Sequence, residues 1–534
     1  MTSSEDGPSP QLPTIELTPL ENTLKTLLLD VAQYIREHSI EHRRNDAGTT
    51  STVLRFTGGW VRDKLLGVQS HDIDVGINNM TGYEFGTNLK EYLDKPGVLE
   101  KYRKNHEEGE LQQAIISLHK IEANPEKSKH LETVTTNIFG FDVDLVNLRK
   151  ESYSEDSRTP QMEFGTPEED ALRRDATINA LFYNLNESKV EDLTGRGLED
   201  MKNEIIRTPM EPYQTFKDDP LRVLRLIRFA SRLGYRIDTS TEVAMQHGEI
   251  SNALMHKISR ERVGIEVGKM LQGPDPRGAL HIIDRLKLYP TIFANHQDDV
   301  IAETSSWALA YNSLHRLLSL NEESEAVKRV RTLLVRDPLE NFFAWMIAAH
   351  APWSVVPTRV QTSGKKPYLP RMAEVARDSL RADNKTVILL KQAASHWRSI
   401  IDVKTTLVEG KMQGTPEVIR QQVGLYVRSW EKDWRLCILL SLLQEIAQGG
   451  TFAQVVQAYD QFLSYIVEQG LDGAFELKPI VNGDEIKNFL NAKGGPWLST
   501  ALEFVIQWQL LHPESQDKQQ ALDELDRRRA ELGI

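Results

Sequence analysis

Hydrophobic positions alternate with polar ones in several stretches of the first third of the chain and recur at helical spacing in much of the rest. Alternation predicts strands at 53–56 and 72–75, and a hairpin over 132–147 that turns at Gly140. From 290 to about 470, Leu, Trp and Phe recur at helical spacing. We therefore expect an α+β fold, in which a small mixed sheet with helices precedes all-helical domains.

The stretch 56–74 joins a predicted strand to a short helix through two glycines and reads FTGGWVRDKLLGVQSHDID. Gly58 and Gly59 allow the backbone to come close to a ligand, and the unpaired N–H groups at the start of the helix suit a bound phosphate. The alternative interpretation is that the glycines merely end the strand.

Two acids follow at the spacing of a strand face. Asp72 and Asp74 are separated by one residue, so strand alternation puts both carboxylates on one side. Two neighbouring carboxylates repel each other, and a bound cation usually offsets this repulsion. The usual cation is Mg²⁺, held by the carboxylates and by substrate phosphates. The alternative is a turn followed by an exposed strand edge. Asp142 and Asp144 repeat the spacing, and one of them is a candidate third carboxylate unless this face is only solvated.

Residues 217–236 begin Lys-Asp-Asp-Pro and continue with arginines at helical spacing. Asp219 before Pro220 predicts a helix cap with proline at the first helical position. At about 100° per residue, the arginines share roughly a third of the circle beside an apolar arc (Arg222, Arg225, Arg228, Arg232 and Arg236). Like charges at this spacing destabilise a helix, and no acid lies between them. The pattern therefore indicates an anionic partner.

The sequence Gly-Gly-x-x-Arg-Asp followed by Asp-x-Asp resembles the signature of polymerase-beta-like nucleotidyltransferases. Its GGWVRD form is similar to the class II, eukaryotic-type branch of CCA-adding tRNA nucleotidyltransferases and poly(A) polymerases. RRDATIN at 173–179, DDPLR at 218–222, and the tail motifs NGDEI and GGPWL extend the resemblance, although the family has Glu where this chain has Asp218. The resemblance to the family is strong over residues 50–290 and moderate over residues 475–512.

The resemblance implies metal-assisted nucleotidyl transfer with Mg²⁺ on Asp72 and Asp74, and it favours Asp144 as the third catalytic carboxylate. It also implies that CTP or ATP is bound by residues of the glycine, RRD and arginine motifs, namely Gly58, Gly59, Arg62, Arg174, Asp175, Asn179, Asp219, Arg222, Arg225 and Arg228. This suits their chemistry, because guanidinium groups match phosphate oxygens and carboxylate or amide groups bind ribose hydroxyls. An ordinary amphipathic helix in solvent is the alternative for the RRD motif.

Asp219 and Arg222 also suit the selection of a base. Cytosine and adenine both present an exocyclic amine beside an unprotonated ring nitrogen, so one carboxylate acceptor and one guanidinium donor pair with either. Guanine and uracil present the reverse pattern and would leave these groups unpaired. Protein side chains would thus replace a nucleic-acid template. A role of Asp219 as a helix cap is compatible with this.

We therefore expect addition of C, C and A to the 3′ end of immature tRNA, with contacts to the tRNA elbow. The alternatives are a poly(A) polymerase, or a partial CC- or A-adding enzyme, on the same scaffold. A tRNA-binding chaperone without catalysis is the alternative outside the enzymes. The pair Asp72 and Asp74 argues against it, since a pure binder gains nothing from two repelling acids.

Composition limits the remaining possibilities. A net charge of −13 argues against broad binding of nucleic acid, so RNA would meet local basic stripes. The single cysteine, Cys437, excludes disulfides and argues against a zinc site. The chain shows no long apolar run and starts MTSSEDGPSP, unlike a signal or transit peptide. We expect a monomer away from membranes, in the cytoplasm and, through alternative starts, in the nucleus and mitochondrion.

The predicted domains follow these motifs. They are a disordered segment (1–16), a nucleotidyltransferase head (17–185), a helical neck that selects the base (186–290), a helical body (291–470) and a helical tail that binds tRNA (471–534). Within the head, residues 95–130 mix charges of both signs without a firm period, which predicts a long loop or an exposed insertion.

Overall fold

The computed structural model describes residues 13–42, 51–103, 119–120, 134–154, 157–295, 299–321, 324–360 and 367–534. The chain divides into two compact units, 1–258 and 259–534. All described strands lie in the first unit, and the second is built from helices. This confirms the predicted fold class. In the part of the chain that is described, no helix is long and apolar enough to cross a membrane.

The first unit is organised around a seven-stranded mixed sheet with the order β3-β4-β5-β2-β1-β8-β9. Two two-stranded ribbons, β6-β7 and β10-β11, accompany it. The strands are β1 (Leu54–Thr57), β2 (Asp72–Ile77), β3 (His119–Lys120), β4 (Val134–Ile138), β5 (Phe141–Asn147), β6 (Arg149–Ser154), β7 (Ser157–Phe164), β8 (Leu181–Asn184), β9 (Lys189–Asp192), β10 (Ile205–Ile206) and β11 (Arg236–Ile237).

Alternation of side chains explains the central strands. In β2, Ile73 and Val75 are fully buried, while Asp72 is exposed and Asp74 is intermediate in exposure. The predicted hairpin is confirmed as β4 and β5, which pair antiparallel on either side of a turn at Phe139 and Gly140. Both turn residues have positive φ, 54° and 82°, as a tight hairpin turn requires.

Ten α-helices are described in the first unit. They are α1 (Pro19–His42), α2 (Gly59–Leu65), α3 (Gly82–Leu93), α4 (Val98–Arg103), α5 (Pro167–Leu172), α6 (Gly197–Lys202), α7 (Pro212–Asp218), α8 (Arg222–Leu233), α9 (Thr239–Met245) and α10 (Gly248–His256). Thus part of the predicted loop 95–130 is helical, while 104–118 and 121–133 lie outside the described residues. The predicted disordered segment 1–16 also lies largely outside them.

Helix α8 differs from its prediction at both ends. It begins at Arg222 rather than Pro220, with Leu221 at the N-cap position. The Asp219 carboxylate instead accepts a hydrogen bond from the Leu221 backbone N–H (3.1 Å). The helix ends at Leu233 and is followed by Gly234, which has a left-handed φ of 71°. Arg236 therefore lies in β11 and not on the arginine face of α8. A left-handed glycine is a common helix terminator.

The second unit contains fifteen described α-helices. They are α11 (Arg260–Leu271), α12 (Pro276–Arg285), α13 (Tyr289–Ile292), α14 (Trp307–Leu318), α15 (Glu325–Leu334), α16 (Pro338–His350), α17 (Arg371–Ser379), α18 (Asn384–Val408), α19 (Pro416–Ser429), α20 (Trp434–Ala447), α21 (Phe452–Glu468), α22 (Gly483–Leu490), α23 (Trp497–Leu511), α24 (Lys518–Arg527) and α25 (Arg529–Leu532). Their core is apolar and aromatic, with Trp307, Trp430 and Trp434 almost fully buried. The unit boundary at 258/259 falls inside the predicted neck.

Candidate active site

The glycine motif brings a cation and an anion to one point of the backbone. Strand β1 pairs antiparallel with β2, and Thr57 is the register partner of Asp74. Gly58 follows β1 with a φ of 72° and precedes α2. A Cβ atom placed on Gly58 would lie 3.2 Å from Nη1 of Arg174 and 3.3 Å from Oδ2 of Asp74. Only glycine therefore suits this position, both in backbone conformation and in space.

Four aspartates occupy one face of two neighbouring strands. Strands β2 and β5 run parallel, with Asp72 opposite Asp142 and Asp74 opposite Asp144. The pKa of Asp74 is raised to about 6, chiefly by burial, with smaller increases from the Asp144 and Asp72 carboxylates and an opposing effect of Arg174. Burial, together with the crowding of negative charge around Asp74, therefore disfavours its ionised form.

These carboxylates fit a divalent cation. A cation would relieve the repulsion around Asp74, and an all-oxygen donor set suits Mg²⁺ rather than zinc. Among the described residues, no group of three or more His, Cys, Asp or Glu side chains closes on one point. Substrate phosphates would therefore have to complete the coordination of a cation held by Asp72 and Asp74, as is usual for Mg²⁺. Asp144 accepts a hydrogen bond from Thr135 Oγ1 (2.5 Å).

A buried carboxylate that the sequence analysis did not single out orients both arginines of the RRD motif. Asp170 is 1% exposed. Its two oxygens accept hydrogen bonds from Arg173 (2.6 and 3.0 Å) and from Arg174 (2.9 and 3.1 Å). Burial by itself would raise the pKa of Asp170, but the two guanidinium groups hold it below its ordinary value. Asp170 precedes Arg173 and Arg174 by three and four residues, and this spacing was the feature of the sequence from which the two ion pairs could have been predicted.

Arg62 connects the glycine motif to the RRD motif. It is 3% exposed. Its Nη1 donates to Oδ1 of Asn179 (2.6 Å), and its Nε and Nη2 donate to Oδ1 of Asp63 (2.8 and 2.7 Å). These contacts fix the start of α2 against the end of the RRD motif, 117 residues away.

The arginine face of α8 meets carboxylates from other elements. Arg225 Nε donates to Oδ2 of Asp175 (2.6 Å), and Arg232 lies 3.5 Å from Asp63. Asp175 also accepts a hydrogen bond from Asn179 Nδ2 (3.3 Å). Burial alone would raise the pKa of Asp175, but the Arg225 guanidinium lowers it overall. The prediction that an anionic partner offsets these arginines is thus met in part by the protein itself.

Arg222 is fixed by the backbone of the RRD motif. Its Nη2 donates to the carbonyl oxygen of Arg173 (2.7 Å) and lies 3.9 Å from the carboxylate of Glu151. Glu151, which the sequence analysis also missed, accepts hydrogen bonds from Arg173 Nη1 and Arg149 Nε (both 2.9 Å). Asp219 and Arg222 are both partly exposed. Arg228 lies over the Phe229 ring at 4.5 Å.

Comparison with known proteins agrees with this geometry. The family described as "Poly A polymerase head domain" matches residues 54–207, and "Probable RNA and SrmB- binding site of polymerase A" matches 234–299. A mixed-sheet head with Gly58, Asp74 and Arg174 at one point, followed by helices, defines the chain as a nucleotidyltransferase of this class. Relatives over nearly the whole length specify the family further.

The chain is 38% identical to the mitochondrial CCA tRNA nucleotidyltransferase of Candida glabrata over 95% of each chain. It is 37% identical to the nucleotidyltransferase lcsQ of Purpureocillium lilacinum, over 98% of this chain and 93% of that one. The fold matches the Thermotoga maritima CCA-adding enzyme complexed with tRNA, with a TM-score of 0.59, 17% identity and 95% coverage of both chains. The protein belongs to the CCA-adding tRNA nucleotidyltransferase family.

Proposed function

We propose that this protein adds C, C and A to the 3′ end of immature tRNA, using CTP and ATP without a nucleic-acid template. The observation that carries this proposal is the meeting of Asp74 and Arg174 at Gly58. At this point, the Asp74 carboxylate is suited to a metal ion and the Arg174 guanidinium to phosphate oxygens. Both lie beside the backbone of Gly58, which allows a nucleotide to approach closely. The full-length relationship to a CCA tRNA nucleotidyltransferase supports the choice of substrate.

The reaction is nucleotidyl transfer. The 3′-hydroxyl of the RNA attacks the α-phosphorus of CTP or ATP, a phosphodiester bond forms, and the bond to the β-phosphate breaks with release of pyrophosphate. Asp72 and Asp74 would hold Mg²⁺, with Asp144 beside them. When bound, the metal lowers the pKa of the hydroxyl and neutralises charge on the leaving phosphates.

The remaining predicted residues hold and choose the nucleotide. Gly58, Gly59, Arg174 and Arg228 are suited to phosphate oxygens. Two hydrogen-bonded pairs position the groups that surround the sugar and the triphosphate. They are Arg62 with Asn179 and Arg225 with Asp175. Asp219 accepts from the exocyclic amine of the base, and Arg222 donates to its ring nitrogen. The hydrogen bond from Arg222 to the Arg173 carbonyl supports this role, because it limits the motion of the guanidinium.

The division into head, neck, body and tail remains part of this proposal, with the neck selecting the base and the tail 471–534 binding the tRNA elbow. We also propose a monomer. The name of the Candida glabrata relative supports a mitochondrial form, and the cytoplasm and nucleus are further proposed locations.

Primer extension tests the function. A tRNA that lacks its terminal CCA is incubated with Mg²⁺ and each NTP singly, and then with all four together. We expect growth by C, C and A that stops after three additions, and no growth with an Asp72→Ala/Asp74→Ala double variant. A long A tail would instead indicate a poly(A) polymerase, and one or two additions a partial enzyme. Binding without extension would indicate a tRNA chaperone.

A further inference from the structure

Helix α1 precedes the part of the chain that the head-domain family covers, yet it is packed into the first unit. Its apolar face is fully buried at four positions (Leu24, Leu27, Leu28 and Val31). Tyr34 donates its hydroxyl to Glu91 on α3 (3.1 Å), and Asp30 accepts a hydrogen bond from Lys101 on α4 (2.6 Å). Helix α1 is therefore a structural part of the head and not an extension outside it.

One ion pair from α1 reaches α2, the helix of the glycine motif. Glu21 lies in the first turn of α1 and is 3% exposed. Its Oε2 is 2.7 Å from Nζ of Lys64, which lies in the last turn of α2 and has a side chain that is 11% exposed. The same oxygen accepts a hydrogen bond from the Thr18 backbone N–H (2.7 Å), while Thr18 Oγ1 accepts one from the Glu21 N–H (3.2 Å). This reciprocal arrangement is a capping box, and it fixes the carboxylate that Lys64 contacts.

Helix α2 transmits the position of Lys64 to the glycines. It has seven residues and is therefore only about 10 Å long, so its first and last turns move together. The Arg62–Asn179 hydrogen bond (2.6 Å) holds α2 to the RRD motif, and the Lys64–Glu21 ion pair holds it to α1. The start of the helix, with its free N–H groups, is thus fixed by two contacts from distant parts of the chain.

We propose that Glu21 is a positioning residue for nucleotide binding, which acts through Lys64 to hold the start of α2 against the triphosphate. The inference rests on the proposed function, since that function places the triphosphate at Gly58 and Gly59. Binding groups must be held in place to be effective, and small displacements weaken their contacts strongly. Because CTP and ATP carry the same triphosphate, the pair should support the binding of both nucleotides equally.

Glu21→Gln tests the proposal, because glutamine keeps the capping box but removes the charge that Lys64 faces. Calorimetric titration with CTP and with ATP, in the presence of Mg²⁺ and well below the melting temperature, should show about fivefold weaker binding of both. The KM for each nucleotide should rise to the same extent, while kcat and the affinity for tRNA stay within about twofold. The melting temperature should fall by about 5–10 °C, since Lys64 loses its carboxylate. Lys101→Met, which removes the ion pair between α1 and α4, is the matched control and should leave nucleotide affinity unchanged.

The double variant Glu21→Gln/Lys64→Met separates positioning from stability. It leaves no buried charge unpaired, so its melting temperature should return towards that of the wild-type protein. Its affinity for both nucleotides should nevertheless stay about tenfold weak, because nothing then joins α2 to α1 at this point. Wild-type nucleotide affinity in the double variant, or in Glu21→Gln with a lowered melting temperature, would show that the pair only stabilises the fold and would overturn the proposal. Weaker binding of one nucleotide alone would also overturn it.

Nucleotide titration also separates this inference from the proposed function. If the wild-type protein binds ATP and makes a long A tail but adds no CCA to tRNA, the proposed function fails. The ATP affinities of the variants then still report whether Glu21 positions α2. If the wild-type protein adds CCA and both variants bind CTP and ATP normally, only the inference about Glu21 fails.

Discussion

Replacing Asp74 with asparagine should stabilise the metal-free protein at neutral pH. Burial, with the Asp144 and Asp72 carboxylates, raises the pKa of Asp74 from an ordinary value near 3.8 to about 6. One pKa unit corresponds to about 1.36 kcal/mol, so keeping Asp74 ionised costs the folded state up to about 3 kcal/mol. A neutral amide of the same shape avoids this cost, while the variant should lose activity because it cannot hold the metal ion.

Proton linkage gives the direction of the pH dependence. Between the ordinary pKa of 3.8 and the folded value of about 6, the folded state binds a proton that the unfolded state lacks. The contribution of Asp74 to the free energy of unfolding therefore falls as pH rises through this window. The advantage of Asp74→Asn should be full above pH 6 and should disappear as the pH approaches 4.

Calorimetry with a chelator measures this effect. For a domain of this size, 1 kcal/mol shifts the melting temperature by about 2–4 °C, so the transition of the first unit should rise by up to roughly 10 °C in Asp74→Asn. Asp142→Asn, on the same sheet face but exposed, should change it little. Mg²⁺ should raise the wild-type transition and leave that of Asp74→Asn nearly unchanged. A variant that melts at or below the wild-type temperature at neutral pH would refute the reasoning.

Two further substitutions test buried groups. Asp170→Asn should lower the free energy of unfolding by about 3 kcal/mol, because it removes a buried carboxylate from two partly buried guanidinium groups, of which only Arg173 keeps a second carboxylate partner, Glu151. It should also reduce kcat for CTP roughly a hundredfold by releasing Arg174. Chemical denaturation and pyrophosphate release measure these effects, with the exposed Glu168→Gln as control, and a wild-type value of either quantity would contradict the prediction. Burial lowers the pKa of His350 from 6.5 to about 4, so the free energy of unfolding of the second unit should fall by up to about 3 kcal/mol as the pH falls from 6.5 to 4. His350→Gln should flatten this dependence of the free energy of unfolding on pH. An equal pH dependence in the variant and the wild-type protein would contradict the prediction.

The local chemistry of the head could be predicted from the sequence because it depends on neighbours in the chain. The double glycine between a strand and a helix, and two acids at the spacing of a strand face, follow from backbone geometry alone. The hairpin of β4 and β5 follows from alternation and a glycine turn. The structure contains these elements close to where they are predicted.

The ends of α8 were predicted less well. A proline after Asp219 is compatible with a helix start, yet α8 begins two residues later, and Gly234 ends it before Arg236. Local signals of this kind allow several neighbouring boundaries, and packing selects among them.

Only the tertiary structure decided how charge is balanced at the site. The sequence shows arginines on α8 without interleaved acids, but Asp175 and Asp63 supply carboxylates from 50 and 169 residues away. Asp170 and Glu151 likewise form ion pairs with arginines of the site. Their burial among these arginines cannot be seen from chain spacing alone. Periodicity reports which face of an element is apolar, whereas the partner of a charged group is set by how separate elements pack, and that is a property of the folded chain.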